Sequence, residues 1–222
     1  MTRRTGSVDP PAEGQTMTSR FVDLVVLVTG GGTGIGRATA TAFARDGATV
    51  VVAGRTRHPL DQTVKLLDAD GCRAEAITAD ITRSSEVAHL IEEIVARHAR
   101  LDVAVNNAGT IGTAAPVVDL DEDTWSAVLA TNLTGVWLAM KHEIAHMQQA
   151  GAGVIVNVAS TVGAHLTLPA LGAYAASKAA VSTLTRTAAK ECIADGVRIN
   201  AISPGPVDTP MSRLPGETKR RP

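Results

Sequence analysis

The chain has 222 residues, of which 45% are hydrophobic and only 2% aromatic, and its formal net charge at pH 7 is -1. This length allows one sizeable core but not two, so we expect a single α/β domain whose core is built from Ala, Val, Leu and Ile. The near-neutral charge gives no electrostatic reason to expect binding to nucleic acid or to an anionic membrane. No apolar run approaches the length of a membrane span, so we expect no membrane partner.

The two ends of the sequence differ in character. Residues 1–20 are polar, contain Pro and Gly, and show neither periodicity nor an apolar signal core. We therefore predict a disordered leader over 1–20 and one folded domain over 21–222. The two cysteines, Cys72 and Cys192, are far apart in sequence and are interpreted as reduced thiols of a cytoplasmic protein.

Short apolar segments rich in β-branched residues alternate with stretches long enough for helices. Strands are predicted at 24–30, 49–54, 74–80, 102–107, 153–160 and 197–205. Helices are predicted at 35–46, 84–98, 124–150 and 173–194. This alternation predicts a doubly wound parallel sheet with helices on both faces. In such sheets, ligands bind beyond the carboxyl ends of the strands, where the direction of winding reverses.

A cluster of glycines, "TGGGTGIG" (29–36), lies between the first strand and the first helix. Strict G-x-G-x-x-G is absent, but Gly30, Gly34 and Gly36 fit a phosphate-binding turn, with Gly31 and Gly32 as additional glycines. Glycine is needed there because the backbone must turn sharply and approach a pyrophosphate closely, while the free N–H groups of the helix face the anion. The alternative of a merely flexible loop is disfavoured by its position between strand and helix.

The end of the second predicted strand indicates which nicotinamide cofactor is preferred. A dinucleotide site for NAD(H) usually has an acidic residue there, which accepts a hydrogen bond from the ribose 2′-hydroxyl. This chain instead has "AGRTR" at 53–57, without a carboxylate. Arg55 can pair with a 2′-phosphate, which favours NADP(H), with NAD(H) still possible. The alternative is that Arg55 is an ordinary solvated surface charge.

The segment "YAASK" contains the only tyrosine of the chain, Tyr174, and a lysine four residues later, Lys178. On a helix these two positions share a face. A free phenol titrates near pH 10, and a neighbouring ammonium group favours the ionised form and makes the phenol usable in acid–base chemistry. The same spacing also occurs on ordinary helices, where the tyrosine packs and the lysine is solvated.

Six motifs occur together and in one order: "TGGGTGIG", "NNAG" (106–109), Asn132 in "TNLTGVW", Ser160 in "VNVAS", "YAASK" and "PGPVDTPM" (204–211). In this set the chain resembles the classical short-chain dehydrogenases/reductases, and the resemblance runs from about residue 21 to residue 211. It implies a Rossmann fold and an enzyme that interconverts a carbonyl and a secondary alcohol by hydride transfer, with no metal required. The preference for NADP(H) comes from Arg55.

The resemblance also implies a role for each matching residue. Tyr174 would exchange the proton with the substrate oxygen, Lys178 would hold the nicotinamide ribose, Ser160 would hydrogen-bond the developing oxyanion, and Asn132 would position a water in the proton relay. The cofactor-binding set that it implies, together with Arg55, is Gly30, Gly32, Thr33, Gly34, Ile35, Asp80, Ile81, Asn106, Ala108, Gly109, Tyr174, Lys178, Pro204, Gly205, Val207 and Thr209. Asn106 is alternatively interpreted as a brace at the end of its strand.

The chain departs from the family pattern after "PGPVDTPM". The family normally continues with a substrate-covering helical segment, another helix and a final strand, whereas this sequence reads "SRLPGETKRRP" and stops. We therefore expect the domain to lack that last helix and strand, which would leave the strand at 197–203 as an exposed edge. A homo-oligomer, dimer or tetramer, is expected from the family, although the common tetramer interface uses the missing elements.

Two other functions are weighed against the dehydrogenase. "HEIAH" (142–146) matches H-E-x-x-H, in which His142 and His146 would bind zinc and Glu143 would activate water; no third ligand follows, and a solvated or interface-facing helix is the simpler interpretation. A nucleotide-binding protein with weak or no catalysis is the second alternative, because of the early chain end.

The substrate is a small carbonyl or alcohol whose identity the sequence leaves open. We expect residues 110–117 and 161–172 to border its pocket. Four apolar residues of the second segment suggest an apolar ketone or alcohol, or serve only in packing: Val162, Leu166, Leu168 and Leu171.

Overall fold

The computed structural model describes residues 19–212 of the chain. The predicted leader over 1–20 falls almost entirely outside this range, and so does the segment 213–222. Six strands form one parallel sheet: β1 (Val25–Thr29), β2 (Thr49–Gly54), β3 (Arg73–Thr78), β4 (Val103–Asn106), β5 (Gly153–Val158) and β6 (Val197–Ile202).

Helices connect the strands and cover both faces of the sheet: α1 (Gly34–Arg45), α2 (Arg57–Ala69), α3 (Ser84–His98), α4 (Glu122–Leu129), α5 (Gly135–Ala150), the short α6 (Thr161–Ala164) and α7 (Gly172–Cys192). A π-helical turn (Ala130–Thr134) joins α4 to α5 without a break. The single long helix predicted over 124–150 is therefore two α-helices in continuous succession. None of the helices described is long and apolar enough to cross a membrane.

The strand order is β3-β2-β1-β4-β5-β6, which confirms the doubly wound parallel sheet. The chain moves outward from β1 to β3 and then returns to place β4 beside β1, so the winding reverses between these two strands. The carboxyl ends of β1 and β4, at Thr29 and Asn106, therefore form the crevice where a ligand is expected.

Two apolar clusters build the core, one on each face of the sheet. One includes Leu27, Val51 and Ile155 with residues of α3, α5 and α7, and the other includes Val26, Val50 and Val52 with residues of α1 and α2. Neighbouring residues of β1 and β2 belong to opposite clusters, because side chains alternate along a strand and both faces are covered by helices.

Within residues 19–212, β6 lies at one edge of the sheet. Its last three residues, Asn200 to Ile202, are exposed, and Ile202 has 45% of its surface open to solvent.

Candidate active site

One cleft of about 690 Å³ opens at the carboxyl ends of the strands. It extends from the glycine turn after β1 to the segment that follows β5, and its walls come from most of the turns that connect strands to helices. Every residue of the predicted catalytic and cofactor-binding sets lines this cleft except Asn106 and Asn132.

The glycine turn is closed by backbone contacts that leave no space for side chains. Gly30 has φ +66° and Gly34 has φ +50°, in the left-handed region that favours glycine. A Cβ atom on Gly36 would lie 2.3 Å from the carbonyl oxygen of Gly30. Thr33 stands at the N-cap of α1 without making a side-chain cap, so the first N–H groups of the helix are not occupied by its hydroxyl. This arrangement fits an anion of a dinucleotide.

Asn107 holds this turn from the neighbouring strand. Its Nδ2 donates to the Thr29 carbonyl at 2.9 Å and its backbone N–H donates to the Thr29 hydroxyl at 3.0 Å. The N–H of Ala108 donates to the same hydroxyl at 3.1 Å. The turn after β1 and the turn after β4 are thus linked across the point where the winding reverses.

Arg55 and Asp80 line the opposite end of the cleft, after β2 and β3. The side chain of the nearby Arg57 is paired instead with Asp61, at 2.7 Å within α2. Burial raises the pKa of the Asp80 carboxyl, but hydrogen bonds from Thr82 and the charges of Arg55 and Arg83 outweigh burial, so the pKa lies below its ordinary value. This end of the cleft therefore offers both a carboxylate and a guanidinium group.

Tyr174 and Lys178 lie on the first two turns of α7 and both line the cleft, as their spacing predicts. The Lys178 ammonium lies 6.0 Å from the centroid of the tyrosine ring. Lys178 is only 4% exposed, and its Nζ donates to the Val158 carbonyl at 2.7 Å. Burial lowers the pKa of Lys178 to about 8. The ammonium group is thus held close to the phenol by a fixed backbone acceptor.

Ser160 follows β5 and faces the same cleft. Its Oγ accepts a hydrogen bond from the backbone N–H of Val162 at 3.1 Å. A hydroxyl carries one hydrogen besides its acceptor lone pairs, so Ser160 can still donate that hydrogen to another oxygen in the cleft.

Asn132 lies behind the wall of the cleft, in the π-helical turn, and is fully buried. Its Oδ1 accepts from the N–H of Thr110 at 2.8 Å, and its Nδ2 donates to the Thr110 carbonyl and to Ser177 Oγ at 2.8 and 3.1 Å. The Ser177 hydroxyl in turn donates to the Tyr174 carbonyl at 2.7 Å. Asn132 therefore ties the loop after β4 to the first turn of α7. Single π-helical turns inside a helix are frequent at functional sites.

Asn106, which the family resemblance assigns to the cofactor-binding set, does not line the cleft. Its side chain points away from the cleft, is 2% exposed, and donates from Nδ2 to Glu143 Oε2 at 2.9 Å and to Asn157 Oδ1 at 3.0 Å. Asn106 braces the end of β4, which is the alternative interpretation given to it. The following residue, Asn107, lines the cleft instead. Asn107 belongs to the same motif, "NNAG" (106–109), which the family resemblance places beside the cofactor.

The structure argues against the zinc-binding interpretation of "HEIAH". His142 Nε2 lies 3.3 Å from Ser84 Oγ on the outer side of α5, whereas Glu143 is completely buried. No group of three or more His, Cys, Asp or Glu residues that could hold a metal occurs within 19–212. The expected solvated or interface-facing helix does not hold for Glu143, which is buried, whereas His142 and His146 are partly exposed.

Comparison with known proteins assigns the chain to a family. The family profile "short chain dehydrogenase" matches residues 24–220. The chain belongs to this family. It is therefore an NAD(P)-dependent oxidoreductase that interconverts a carbonyl and an alcohol, and its substrate is a small molecule.

Among similar proteins is the cis-4-hydroxycyclohexanecarboxylate dehydrogenase of Sinomonas cyclohexanicum, which is 41% identical over 204 residues that cover 91% of this chain and 81% of the relative. The 3beta-hydroxysteroid dehydrogenase of Mediterraneibacter gnavus is 39% identical over 199 residues, covering 90% of this chain and 71% of the relative.

Solved structures with the same fold contain different nicotinamide cofactors. A single-residue variant of actinorhodin polyketide ketoreductase with NADPH is 37% identical and superimposes with a TM-score of 0.82, over 85% of this chain and 72% of the other. NAD+-bound xylitol dehydrogenase is 35% identical with a TM-score of 0.82, over 84% and 71%. The family therefore fixes the nicotinamide chemistry, whereas the choice between the two cofactors depends on local residues.

Proposed function

We propose that this protein is a carbonyl reductase or secondary alcohol dehydrogenase that prefers NADP(H) and uses Tyr174 as its acid–base group. One observation supports this proposal most strongly: the phenol of Tyr174, the ammonium of Lys178 and the hydroxyl of Ser160 line the same cleft as the glycine turn. These three groups follow β5 or lie on α7, and the turn follows β1, so only the folded sheet brings them together.

The residues present fit a nicotinamide dinucleotide. The turn at Gly30 and Gly34 leaves a cradle without side chains beside the free N–H groups of α1, which suits a pyrophosphate. Segment 204–209 borders the same cleft and is anchored through the Thr161 N–H, which donates to the Pro204 carbonyl at 3.1 Å. When bound, the nicotinamide supplies or accepts the hydride.

Each side chain then has a distinct task. The Ser160 hydroxyl donates its hydrogen to the substrate oxygen, while its own oxygen accepts from the Val162 N–H. Tyr174 gives its proton to that oxygen during reduction and takes it back during oxidation. Lys178, held by the Val158 carbonyl, keeps a positive charge near the phenol and stabilises the phenolate.

Asn132, which is buried behind the wall of the cleft, positions residues of that wall. Because both hydrogens of Nδ2 are donated to protein acceptors, we assign to the side chain the positioning of Thr110 and, through Ser177, of the first turn of α7. The water-positioning role that the family resemblance implies for Asn132 stays a prediction.

The preference for NADP(H) rests on Arg55. It follows β2 where an NAD(H)-preferring site has a carboxylate, it lines the cleft, and the neighbouring Arg57 is already paired with Asp61. A guanidinium group can contact the 2′-phosphate with two hydrogen bonds.

The proposed substrate is an apolar, ring-bearing ketone or secondary alcohol. The wall of the cleft includes six apolar side chains outside the glycine turn: Ile111, Val162, Leu166, Leu168, Leu171 and Met211. The charged residues among those that line the cleft are Lys178, at the reacting centre, and Arg55 and Asp80, at the opposite end. Both relatives named above act, by their names, on a hydroxyl group of a cyclic compound.

Assembly and location stay predictions. Trp125 on α4 and Trp137 on α5 are 41% and 46% exposed, which supports the predicted homo-oligomer, because exposed large aromatic residues commonly mark interfaces. Size-exclusion chromatography with light scattering tests this prediction. The cytoplasmic location rests on the cysteines alone; Cys72 and Cys192 are both free thiols.

Tyr174→Phe tests the catalytic proposal. The substitution removes only the hydroxyl, so kcat with a panel of cyclic ketones and NADPH should fall by about 10³-fold, while the Kd for NADPH changes little. Ala176→Ser, at an exposed position of the same helix, is the control and should retain full activity. Substantial activity of Tyr174→Phe would reject the role. NADPH binding by the unaltered chain without turnover of any substrate would instead favour the binding-only alternative.

A further inference from the structure

Glu143, in α5, is a buried carboxyl group that the proposed chemistry does not use. It has no accessible surface and lies beneath the end of β4, where its Oε2 accepts a hydrogen bond from Asn106 Nδ2 at 2.9 Å. Asn106 also donates to Asn157 Oδ1, and Asn157 Nδ2 donates to Thr185 Oγ1 at 2.9 Å. The network thus links α5, β4, β5 and α7 below the cleft.

Two buried oxygen atoms of this network have no hydrogen-bond partner among residues 19–212 when Glu143 is ionised: Glu143 Oε1 and Asn106 Oδ1. Both are oxygen acceptors on side chains that are already joined by one hydrogen bond. A buried acceptor without a partner costs free energy, and a buried carboxylate without a cation costs more. A single proton on Oε1 would remove both deficits, because a carboxylic acid and a primary amide can form two parallel hydrogen bonds.

We propose that Glu143 is a neutral carboxylic acid in the folded protein, donating from Oε1 to Asn106 Oδ1 while Oε2 accepts from Asn106 Nδ2. In this state every polar atom of the Glu143 and Asn106 side chains has a partner. Glu143 is then a positioning residue that fixes the end of β4, from which the turn bearing Asn107 continues into the cleft.

The surroundings of Glu143 favour the neutral form. Burial raises the pKa of Glu143 to about 7, and only the hydrogen bond from Asn106 opposes the shift. The partners within the network, Asn157, Met140 and Thr185, carry no charge. On its own helix, His142 contacts Ser84 and His146 has a buried Nε2 without a partner within the described residues. The other buried titratable side chains between residues 19 and 212 are Lys178, which bonds the Val158 carbonyl, and Cys192.

The proposal has a consequence for the cleft. Ionisation of Glu143 would place a carboxylate oxygen opposite the Asn106 carbonyl oxygen, and the two acceptors would repel each other. The end of β4 and the Asn107 link to the glycine turn would then loosen, so cofactor affinity should fall as pH rises through about 7.

Glu143→Gln is the decisive variant, because a glutamine amide reproduces both hydrogen bonds of the neutral acid and cannot ionise. The folded-state pKa of Glu143 lies above its ordinary value of 4.5, so the stability that it contributes is present at low pH and is lost as pH rises through about 7. We expect urea unfolding of the cofactor-free protein to give folding equilibrium constants for the wild type and for E143Q. The ratio of the wild-type constant to that of E143Q should fall on the order of 100-fold between about pH 4.5 and 8.

Glu92→Gln, at an exposed position of α3, is the matched control and should keep the pH dependence of the wild type. An independent measurement needs no variant: NMR of wild-type protein carrying carboxyl-labelled glutamate should show one resonance that titrates near pH 7. The same resonance should be missing from the spectrum of E143Q.

These measurements require neither turnover nor a bound cofactor, so their result is independent of the proposed function. The proposal would be overturned if the wild type and E143Q showed the same pH dependence of stability. It would also be overturned if every glutamate of the wild type were ionised at about pH 6. If E143Q does not fold, the wild-type resonance alone decides.

Discussion

The two halves of the cleft are built in different ways. In the half around the glycine turn, the wall is backbone: Gly30 and Gly34 have positive φ, and Gly36 touches the Gly30 carbonyl so closely that a methyl group cannot be inserted. In the half around residues 161–171, the wall is made mainly of apolar side chains, of which Leu166 and Leu168 are 45% and 49% exposed.

This difference indicates which half tolerates change. A pyrophosphate is recognised by N–H groups at fixed positions, so the turn must be rigid and has almost no freedom in sequence. An apolar substrate is recognised by non-directional burial, which many arrangements of side chains can supply. We therefore expect substitutions at the glycine turn to weaken cofactor binding strongly and those in the apolar wall to change substrate binding gradually.

Among variants that compare the two halves of the cleft, the largest effect is expected from Gly36→Ala. The added Cβ would lie 2.3 Å from Gly30 O and 2.5 Å from Asn107 Nδ2, and since Gly30 O is backbone, the turn itself must move. Overpacking of this kind costs about 3 kcal/mol, which corresponds to roughly a 100-fold loss of NADPH affinity measured by fluorescence titration.

Gly71→Ala is the control for that variant. Gly71 has φ +74° but no atom within 4 Å of an added Cβ, so alanine there should cost about 1 kcal/mol of stability through backbone strain and leave cofactor affinity unchanged. Unimpaired NADPH binding by Gly36→Ala would contradict the assignment of a rigid turn.

An intermediate effect is expected from Arg55→Asp. Loss of the charged hydrogen bonds to the 2′-phosphate should weaken NADPH by about 2 kcal/mol, or roughly 30-fold, and should leave NADH almost unaffected or improve it. Arg57→Asp makes the same change of charge at a residue that pairs with Asp61, and its effect on the ratio of the two affinities should be much smaller. Equal weakening of both cofactors by Arg55→Asp would disprove the 2′-phosphate contact.

The smallest effect is expected from Leu168→Ala in the apolar wall. Because about half of this side chain is already exposed, its loss should raise the KM for a cyclic ketone by about fivefold, equivalent to about 1 kcal/mol, with kcat little changed. Leu66→Ala, at a similarly exposed leucine of α2 outside the cleft, should have no effect on KM. A fall in kcat of about tenfold or more for Leu168→Ala would mean that this wall also aligns the reacting atoms.

The sequence predicted the sheet correctly, and most of the predicted site residues line one cleft, because these features depend on local patterns. Alternating apolar segments and glycine turns define strands and their ends, and the carboxyl ends of parallel strands meet at one edge of the sheet. The four-residue spacing of Tyr174 and Lys178 placed both on one face of α7 without any tertiary information.

The interpretations of Asn106 and of "HEIAH" differ from the structure because the residues concerned lie in elements with extensive buried surface. All four residues of β4 are buried, so no alternation of polar and apolar residues could show that Asn107, and not Asn106, faces the cleft. In α5, Glu143 lies on the buried face together with apolar residues such as Met140 and Met147. The motif H-E-x-x-H does not specify which face of a helix is buried, so it could not predict that Glu143 points inward.

By itself, the amino-acid sequence determined the order of strands and helices, the glycine turn and the Tyr174–Lys178 pair, since each depends on backbone conformation over a few residues. Only the tertiary structure decided which polar side chain at the end of β4 enters the cleft and which is buried beneath it. The same packing decides that Glu143 meets Asn106. These contacts join residues that are distant in the chain, and their energies depend on the loss of water around each group, which local sequence does not specify.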